Sequence, residues 1–339
     1  MSERFRLARH CNEEGYKLLY DSIAKSMSEP PNPIMIGKIG ANELLVIYQA
    51  IGILQNQIAD FSPDIMREGC FTAGIYPPTK EGFLIFVNKY LEAIKSMNIL
   101  ASWNDRILQV EEYVWNNYIV KGKTGGPGRR AGEQLGIVEL TSLESFYTEP
   151  KYWWQTLYEN KTILIISPFV KSIQAQLDLS KRNKVWKGRW KGFWPESIKF
   201  KYIKCRHPYY LSSEEEKAKY PESLELIMKE YEKEIEKLKE GDGEDDGKDA
   251  KGNYGFDIAL VGSGAYSILL CDYIKRMCGK STFHLGGGLQ MMFGVYGNRW
   301  SPEFNKSSFL KEYINADWIR PLEEERPPGY KNQEGGAYF

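Results

Sequence analysis

The sequence has few of the residue types that bind metals or form disulfides. It contains 3 histidines and 5 cysteines, and no two of the cysteines have the spacing of a CxxC pair. A structural zinc site needs four such ligands, usually in closely spaced pairs, so the sequence argues against one. An odd number of scattered cysteines is typical of reduced thiols in the cytosol. We therefore expect free cysteines and a cytoplasmic location.

The sequence also lacks net charge, because 45 lysine and arginine residues balance 45 aspartate and glutamate residues. Proteins that bind nucleic acid or an anionic membrane through their overall field carry an excess of positive charge. Nucleic acid is therefore not expected as a partner.

Long apolar runs are missing as well. The two longest candidates, 163–170 and 258–270, are interrupted by Gly, Ser or Pro, and neither reaches the roughly 20 residues that a membrane-spanning helix needs. The first 15 residues lack the apolar segment of a signal peptide. We expect no membrane span and no secretion signal.

Strand and helix patterns alternate along most of the chain. A run of β-branched residues at 162–166 predicts a buried parallel strand. Apolar stretches predict further strands at 34–36, 199–204, 256–261 and 281–285, and apolar spacing predicts helices at 8–27, from about 44, and at 80–97, 105–118, 170–183 and 265–278. The alternation predicts a single α/β domain over 1–339, with a Rossmann-like, mainly parallel sheet flanked by helices.

One segment, about 213–253, departs from this pattern. Its first part predicts a polar helix over about 213–240, and the acidic stretch 241–253 contains no apolar residue except Ala250. A stretch with so little apolar surface cannot pack on a core, so we expect a mobile linker there. The strand–helix pattern resumes directly afterwards, which favours an insertion within one domain.

Two glycine-rich turns after predicted strands are candidates for a ligand site. Gly262-Ser263-Gly264 opens a helix, and Gly286-Gly287-Gly288 follows one strand–helix unit later. Glycines at such turns let a phosphate approach the backbone N–H groups at a helix N-terminus. A tight turn without ligand, or close packing against a neighbouring strand, stays open as the alternative.

These turns do not form a dinucleotide-binding fingerprint. That fingerprint needs a third glycine where this chain has Ser267, and an acid at the end of the next strand, where this chain has His284. An NAD- or FAD-dependent oxidoreductase is therefore disfavoured. His284 itself is a candidate base, although a single histidine at a strand end is more often a hydrogen-bonded core residue.

Three more polar side chains follow predicted strands. Glu43 is a candidate base or ligand for a metal, a ribose or an acceptor hydroxyl, and the alternative is an acid that complements a helix dipole. Ser167 and Ser172 are candidates for phosphate contact, and the alternative for Ser167 is helix capping. The basic and aromatic run Lys184–Lys191 predicts either a glycan or nucleic-acid surface or a solvated rim.

The order of these segments resembles that of GT-D-fold glycosyltransferases among bacterial and viral polysaccharide-synthesis proteins. The most specific stretch is 256–266, with Gly262-Ser263-Gly264-Ala265-Tyr266. The other matching stretches are 36–44, 73–77, 142–147, 161–169, 279–280, 285–290, 293–300 and 334–339. The resemblance covers most of the chain from about residue 33 onward, except 213–253.

The resemblance implies a hexosyl- or pentosyltransferase that moves a sugar from a UDP- or GDP-linked donor to a glycan hydroxyl. It implies Glu43 as the catalytic residue. The implied nucleotide-sugar-binding residues are Lys38, Gly40, Ser167, Ser172, Gly262, Ser263, Gly264, Tyr266, Gly286, Gly287, Gly288, Gln290 and Arg299.

The chain departs from the family at the metal motif. The type enzymes carry Asp-x-Glu after the first strand, tied to a divalent metal such as Mn²⁺ or Mg²⁺, whereas this chain has Ala41-Asn42-Glu43. A single carboxylate is a weaker ligand set for a hard cation. A nucleotide-binding scaffold or regulatory protein without turnover therefore stays open as the alternative.

Overall fold

The computed structural model describes residues 9–10, 12–28, 31–104, 106–116, 135–147, 150–211, 213–239, 254–301, 308–332 and 334–339. The predicted mobile linker at 241–253 lies outside these residues.

The strands of the described residues form one sheet. They are β1 (Arg9–His10), β2 (Met35–Gly37), β3 (Ile99–Ser102), β4 (Gly136–Glu139), β5 (Thr162–Ser167), β6 (Lys199–Lys204), β7 (Ile258–Val261) and β8 (Ser281–His284). Their order is β1-β4-β3-β2-β8-β7-β5-β6, and each pair is parallel. The predicted Rossmann-like, mainly parallel α/β fold is confirmed.

Helices cover both sides of this sheet. They are α1 (Asn12–Ser26), α2 (Ala41–Leu54), α3 (Pro63–Glu68), α4 (Lys80–Ile94), α5 (Ile107–Val114), α6 (Val170–Leu177), α7 (Leu179–Val185), α8 (Glu214–Lys219), α9 (Leu224–Glu236), α10 (Ser267–Tyr273), α11 (Gly288–Met291) and α12 (Ser308–Tyr313). Across the residues that the structure describes, no helix combines the length and apolarity needed to cross a bilayer.

The strands β2, β3, β4, β5 and β7 contribute alternate residues to two separate cores. In β5, Leu164 and Ile166 face the first core, which contains side chains of α2, α4, α9 and α10. Ile163 and Ile165 face the second core, which contains side chains of α1, α6, α7 and α11. The helices that follow β2 and β7 thus lie on one face, and those that follow β5 and β8 lie on the other. Diverging connections of this kind leave a crevice at the carboxyl ends of the strands.

Two helices that the sequence predicts as continuous are broken. The predicted helix 170–183 divides into α6 and α7 at Asp178, whose carboxylate accepts the N–H of Ser180 at 2.9 Å and so starts the second helix. The predicted helix 213–240 divides into α8 and α9 around Pro221, because the residue before a proline avoids the helical conformation. Ser223 then caps α9.

Three strands are absent from the sequence-based prediction. β1 lies inside the predicted helix 8–27, and β3 and β4 have four residues each, with β3 buried throughout. Runs this short do not show a strand period. The five predicted strands correspond to β2, β5, β6, β7 and β8; β6 matches its predicted bounds, and the others have at least one end shifted by one or two residues.

The helix α9, in the predicted insertion, is part of the first core. Leu224, Ile227, Tyr231 and Ile235 are all buried there. Burying one aliphatic side chain contributes about 1.5–3 kcal/mol. The described part of the segment is therefore packed onto the same sheet as the rest of the chain.

We predict that Ile235→Ala lowers the free energy of unfolding by about 2–5 kcal/mol, because Ile235 is fully buried and the substitution leaves a cavity. The matched control is Leu226→Ala on the exposed side of the same helix, where the side chain is 41% exposed and the change should stay within about 0.5 kcal/mol. Urea unfolding measures both. Equal effects would contradict the assignment of α9 to the core.

Candidate functional site

A cavity of about 320 Å³ lies at the carboxyl ends of β2, β5, β6, β7 and β8. Its wall is completed by residues of the segments 324–327 and 334–339. Open α/β sheets bind ligands at this edge. The predicted site residues that line the cavity are Lys38, Gly40, Glu43, Ser167, Gly262, Ser263, Gly264, Tyr266, Gly286, Gly287, Gln290 and Arg299. The fold thus brings together candidates that lie far apart in sequence.

Glu43 lies in the first turn of α2 and lines the cavity. Its carboxylate folds back over Gly40, the residue before the helix, so closely that a Cβ at Gly40 would lie 2.0 Å from Oε2. Burial raises the pKa of Glu43, while its own backbone N–H and the Lys38 ammonium act in the opposite direction. Glu43 therefore caps its helix, as the alternative interpretation holds, and also presents a carboxylate to the cavity.

Lys38 follows β2 and is the cation beside Glu43. Its Nζ lies 5.3 Å from the centre of the Trp103 ring, and Trp103 Nε1 donates to the carbonyl of Ile39 at 2.8 Å. Burial lowers the pKa of Lys38; Arg299 adds to this, and Glu144, Glu43 and Glu334 oppose it. A buried ammonium in a low-dielectric setting interacts strongly with an anion that enters the cavity.

Arg299 supplies a second positive charge and is held by the segment 334–339. Its guanidinium forms an ion pair with Glu334 and donates to the Tyr338 hydroxyl at 3.3 Å. The same group lies 5.0 Å from the centre of the Tyr338 ring. Burial raises the pKa of Tyr338 to about 12, so this tyrosine is a neutral partner at pH 7.

The close contacts at both glycine turns are with the protein itself. Gly264 has φ +54°, and a Cβ there would lie 2.6 Å from the carbonyl oxygen of Ala73. A Cβ at Gly286 would lie 2.6 Å from Cε of Lys38, and one at Gly287 would lie 2.3 Å from the Tyr338 ring. The sequence left two explanations for these glycines open, a bound ligand and close packing. The contacts with the chain's own atoms favour close packing.

Ser172 and Gly288 do not line the cavity. The carboxylate of Glu325 accepts the N–H of Lys171 at 2.7 Å, and the N–H and the hydroxyl of Ser172 at 2.9 and 2.5 Å. The Glu325 carboxylate thereby accepts the N–H groups at the start of α6, where the sequence made Ser172 a candidate for phosphate contact. Ser167 does line the cavity, and its Oγ accepts the N–H of Phe169 at 3.1 Å; because Phe169 is itself the N-cap of α6, this bond stabilises the turn before the helix and Ser167 does not cap the helix.

His284 is the last residue of β8. The sequence left it open whether this histidine is a candidate base or a hydrogen-bonded core residue. Its Nδ1 lies 3.0 Å from the carbonyl oxygen of Val261 and 3.3 Å from the backbone nitrogen of Gly286, so the ring is held between the end of β7 and the turn after β8. Burial lowers the pKa of His284 to about 4. The ring is a hydrogen-bonded, neutral group at pH 7, and it also lines the cavity.

The basic and aromatic run Lys184–Lys191 does not form an aromatic surface. Trp186 and Trp190 are buried in the second core, and the Trp190 ring lies 4.9 Å from that of Tyr313. Only the charged side chains face solvent, as in a solvated rim. Stacking of sugars or bases on these indoles would require the core to open.

Sequence reasoning missed several groups at this site. Lys204, Arg206, His207 and Tyr210 line the cavity after β6, where no motif marks them. Glu144 lies in the 3₁₀ turn Leu140–Tyr147 after β4 and carries a charge that acts on Lys38 and Arg299. Its position depends on β4, which the sequence did not predict.

Of the two carboxylates in the Asp-x-Glu motif, this chain supplies only Glu43, because position 41 is alanine. Within the described ranges, no three His, Cys, Asp or Glu side chains lie close enough together to hold a metal ion. Glu43 faces Lys38, whose ammonium would compete with a cation for the same carboxylate. The four cysteines that the structure describes are unpaired, as expected.

Comparisons with protein-family models, with curated proteins and with solved structures give no match for this chain.

We predict that Glu325→Ala destabilises the protein by about 1–3 kcal/mol, because it removes charge-assisted hydrogen bonds to the buried start of α6. The control is Glu324→Ala, which breaks only an exposed pair with Lys171 and should cost about 0–1 kcal/mol. Urea unfolding of both variants compares them. A Glu325 variant as stable as the control would show that the α6 contact contributes little.

Proposed function

We propose that the protein is a glycosyltransferase that moves a sugar from a UDP- or GDP-linked donor to a hydroxyl of a glycan. The observation that carries the proposal is the buried Glu43 carboxylate beside the Lys38 and Arg299 cations, in one cavity at the carboxyl edge of the sheet. The resemblance to GT-D enzymes supports the choice of reaction.

The proposed reaction needs a base and a stabilised leaving group. The acceptor oxygen bonds to the anomeric carbon while the bond from that carbon to the diphosphate oxygen breaks. Glu43 accepts the hydroxyl proton, and its raised pKa makes it a stronger base than an ordinary carboxylate. Lys38 and Arg299 offset the negative charge that develops on the diphosphate. The cavity volume of about 320 Å³ suits part of such a substrate.

We predict that a nucleoside diphosphate or its sugar conjugate binds with at least micromolar affinity and raises the melting temperature. Glu43→Gln keeps the size of the side chain and removes the base, so turnover should fall by roughly 10²-fold or more while the fold persists. A panel of UDP- and GDP-sugars, tested by thermal shift, calorimetry and donor hydrolysis, measures these effects.

Two further variants sharpen this test. Gly40→Ala retains Glu43 but places a methyl group against its carboxylate, at a backbone φ of −65° that alanine accepts, so it should also reduce turnover. Glu81→Gln changes an exposed acid in the first turn of α4 and should leave turnover unchanged. Binding without any turnover in the unmodified protein would favour a scaffold. Full activity of Glu43→Gln would leave Glu43 as a helix cap only.

We predict that EDTA causes at most a modest loss of donor binding. Lys38 and Arg299 meet the diphosphate charge in this proposal, and Ala41 removes one of the two carboxylates that a metal would use. Calorimetric titration of the donor with and without EDTA measures the difference. Complete loss of binding in EDTA would mean that another acid completes a metal site.

A further inference from the structure

Glu334 holds a backbone conformation that its residue type disfavours. Its φ is +47°, in the left-handed region, where the Cβ of every residue except glycine is crowded by the backbone. The next two residues, Gly335 and Gly336, are also left-handed, with φ +67° and +75°. A third glycine would suit position 334 better than glutamate does, so the glutamate there points to a use of its side chain.

The side chain of Glu334 forms an ion pair with Arg299, whose guanidinium lines the cavity. Oε2 of Glu334 accepts from Nη2, while the hydroxyl of Tyr338 accepts from Nη1 at 3.3 Å. The guanidinium carbon also lies 5.0 Å from the centre of the Tyr338 ring and 5.9 Å from that of Trp300. Contacts from the segment 334–339 therefore fix both nitrogen ends of the guanidinium.

The segment 334–339 is itself fixed to the turn Asn298–Trp300, which carries Arg299. The N–H of Arg299 donates to the carbonyl of Ala337 at 3.1 Å. The N–H of the residue before it donates to the carbonyl of Phe339, also at 3.1 Å. The backbone and the side chain of Arg299 are thus held by the same short segment.

Stability does not explain the pair between Glu334 and Arg299. The arginine side chain is 44% exposed and the glutamate side chain 29%, and an ion pair this exposed contributes little because water screens it. The left-handed backbone of Glu334 adds a cost in free energy. A contact that stabilises little and strains the backbone is typical of a functional site.

We propose that Glu334 is a positioning residue of the active site, which holds the guanidinium of Arg299 in the cavity wall for the diphosphate of the donor. The identity of that anion rests on the proposed function. An arginine side chain has many rotamers, and ordering it only when the substrate reacts would raise the free energy of the transition state. A carboxylate and a hydroxyl that hold it in place beforehand remove that cost.

The first test measures the order of Arg299 and needs no transfer assay. The arginine side chains of the full chain are labelled with ¹⁵N, and Arg299→Lys identifies the Nε–H signal. We expect a high order parameter for this bond in the unmodified protein and a clear loss in Glu334→Gln, which removes only the charge. The matched control Glu312→Gln breaks an exposed pair with Arg189 outside the cavity and should leave the signal unchanged. An equally ordered Arg299 in Glu334→Gln would overturn the proposal.

The second test measures transfer with the donor that the unmodified protein uses. Glu334→Gln should lower kcat by roughly 10-fold with a smaller change in KM, and Glu334→Asp, which keeps the charge, should recover part of the loss. Glu334→Gly relieves the left-handed strain, so it should melt at the same temperature as the unmodified protein or higher and still lose kcat. Loss of kcat only in variants that also melt lower would indicate a purely structural residue.

A double-mutant cycle shows whether Glu334 acts through Arg299. Arg299→Ala should lower kcat on its own, and adding Glu334→Gln should cause no further loss. Glu334 also adds to the effect of burial in raising the pKa of Glu43. Losses that multiply would therefore mean that Glu334 acts on the base directly, and they would contradict the positioning role. If the unmodified protein shows no turnover, the proposed function fails, and the order of Arg299 still decides whether Glu334 positions it.

Discussion

The parallel sheet must be covered on both faces, and the rest of the architecture depends on this constraint. In β2, β5 and β7, alternate apolar residues are buried on opposite sides of the sheet, so neither face can be left to water. The helices that connect successive strands must then be divided between the two faces of the sheet. Because they diverge at the carboxyl ends of β5, β7, β8 and β2, a cavity opens where backbone turns and helix starts converge.

Burial of charge is the second constraint. Lys38 lies at the edge of the apolar core, where an ammonium loses hydration that only other charges can replace. The charges of Glu144 and Glu43 raise the pKa of Lys38 against the effect of burial, and burial raises the pKa of both carboxyl groups. A lysine with a lowered pKa and acids with raised ones are the pattern by which functional sites differ from surface ion pairs.

The sequence predicted the fold class because its longest strands carry strong local signals. The run Thr162–Ile166 is uninterrupted and β-branched except at Leu164, and glycine turns come after β7 and β8. The four-residue strands β3 and β4 are stabilised by their sheet neighbours, not by local propensity, and sequence periodicity cannot detect them. Glu144 was missed as a site residue for that reason.

The same limit applies to contacts between distant segments. Glycine at 264 and 286 correctly marked the edge of the sheet that holds the cavity, but the atoms that approach these glycines are the chain's own. The Glu325 cap on α6 joins residues more than 150 positions apart. No local pattern links the two segments, so a serine at a helix start looked like a free phosphate ligand.

The two carboxylates at helix starts decide how the cavity can hold an anion. Helix N-termini are the usual anion sites of α/β proteins, yet Glu43 covers the start of α2 and Glu325 covers the start of α6. The positive ends of both helix dipoles are thus already neutralised by the protein. In the proposed function the donor diphosphate is met by cationic side chains, and Lys38 and Arg299 line the same cavity as Glu43. Binding through side-chain charges depends on how those side chains are held, and Glu334 is the carboxylate that forms an ion pair with Arg299.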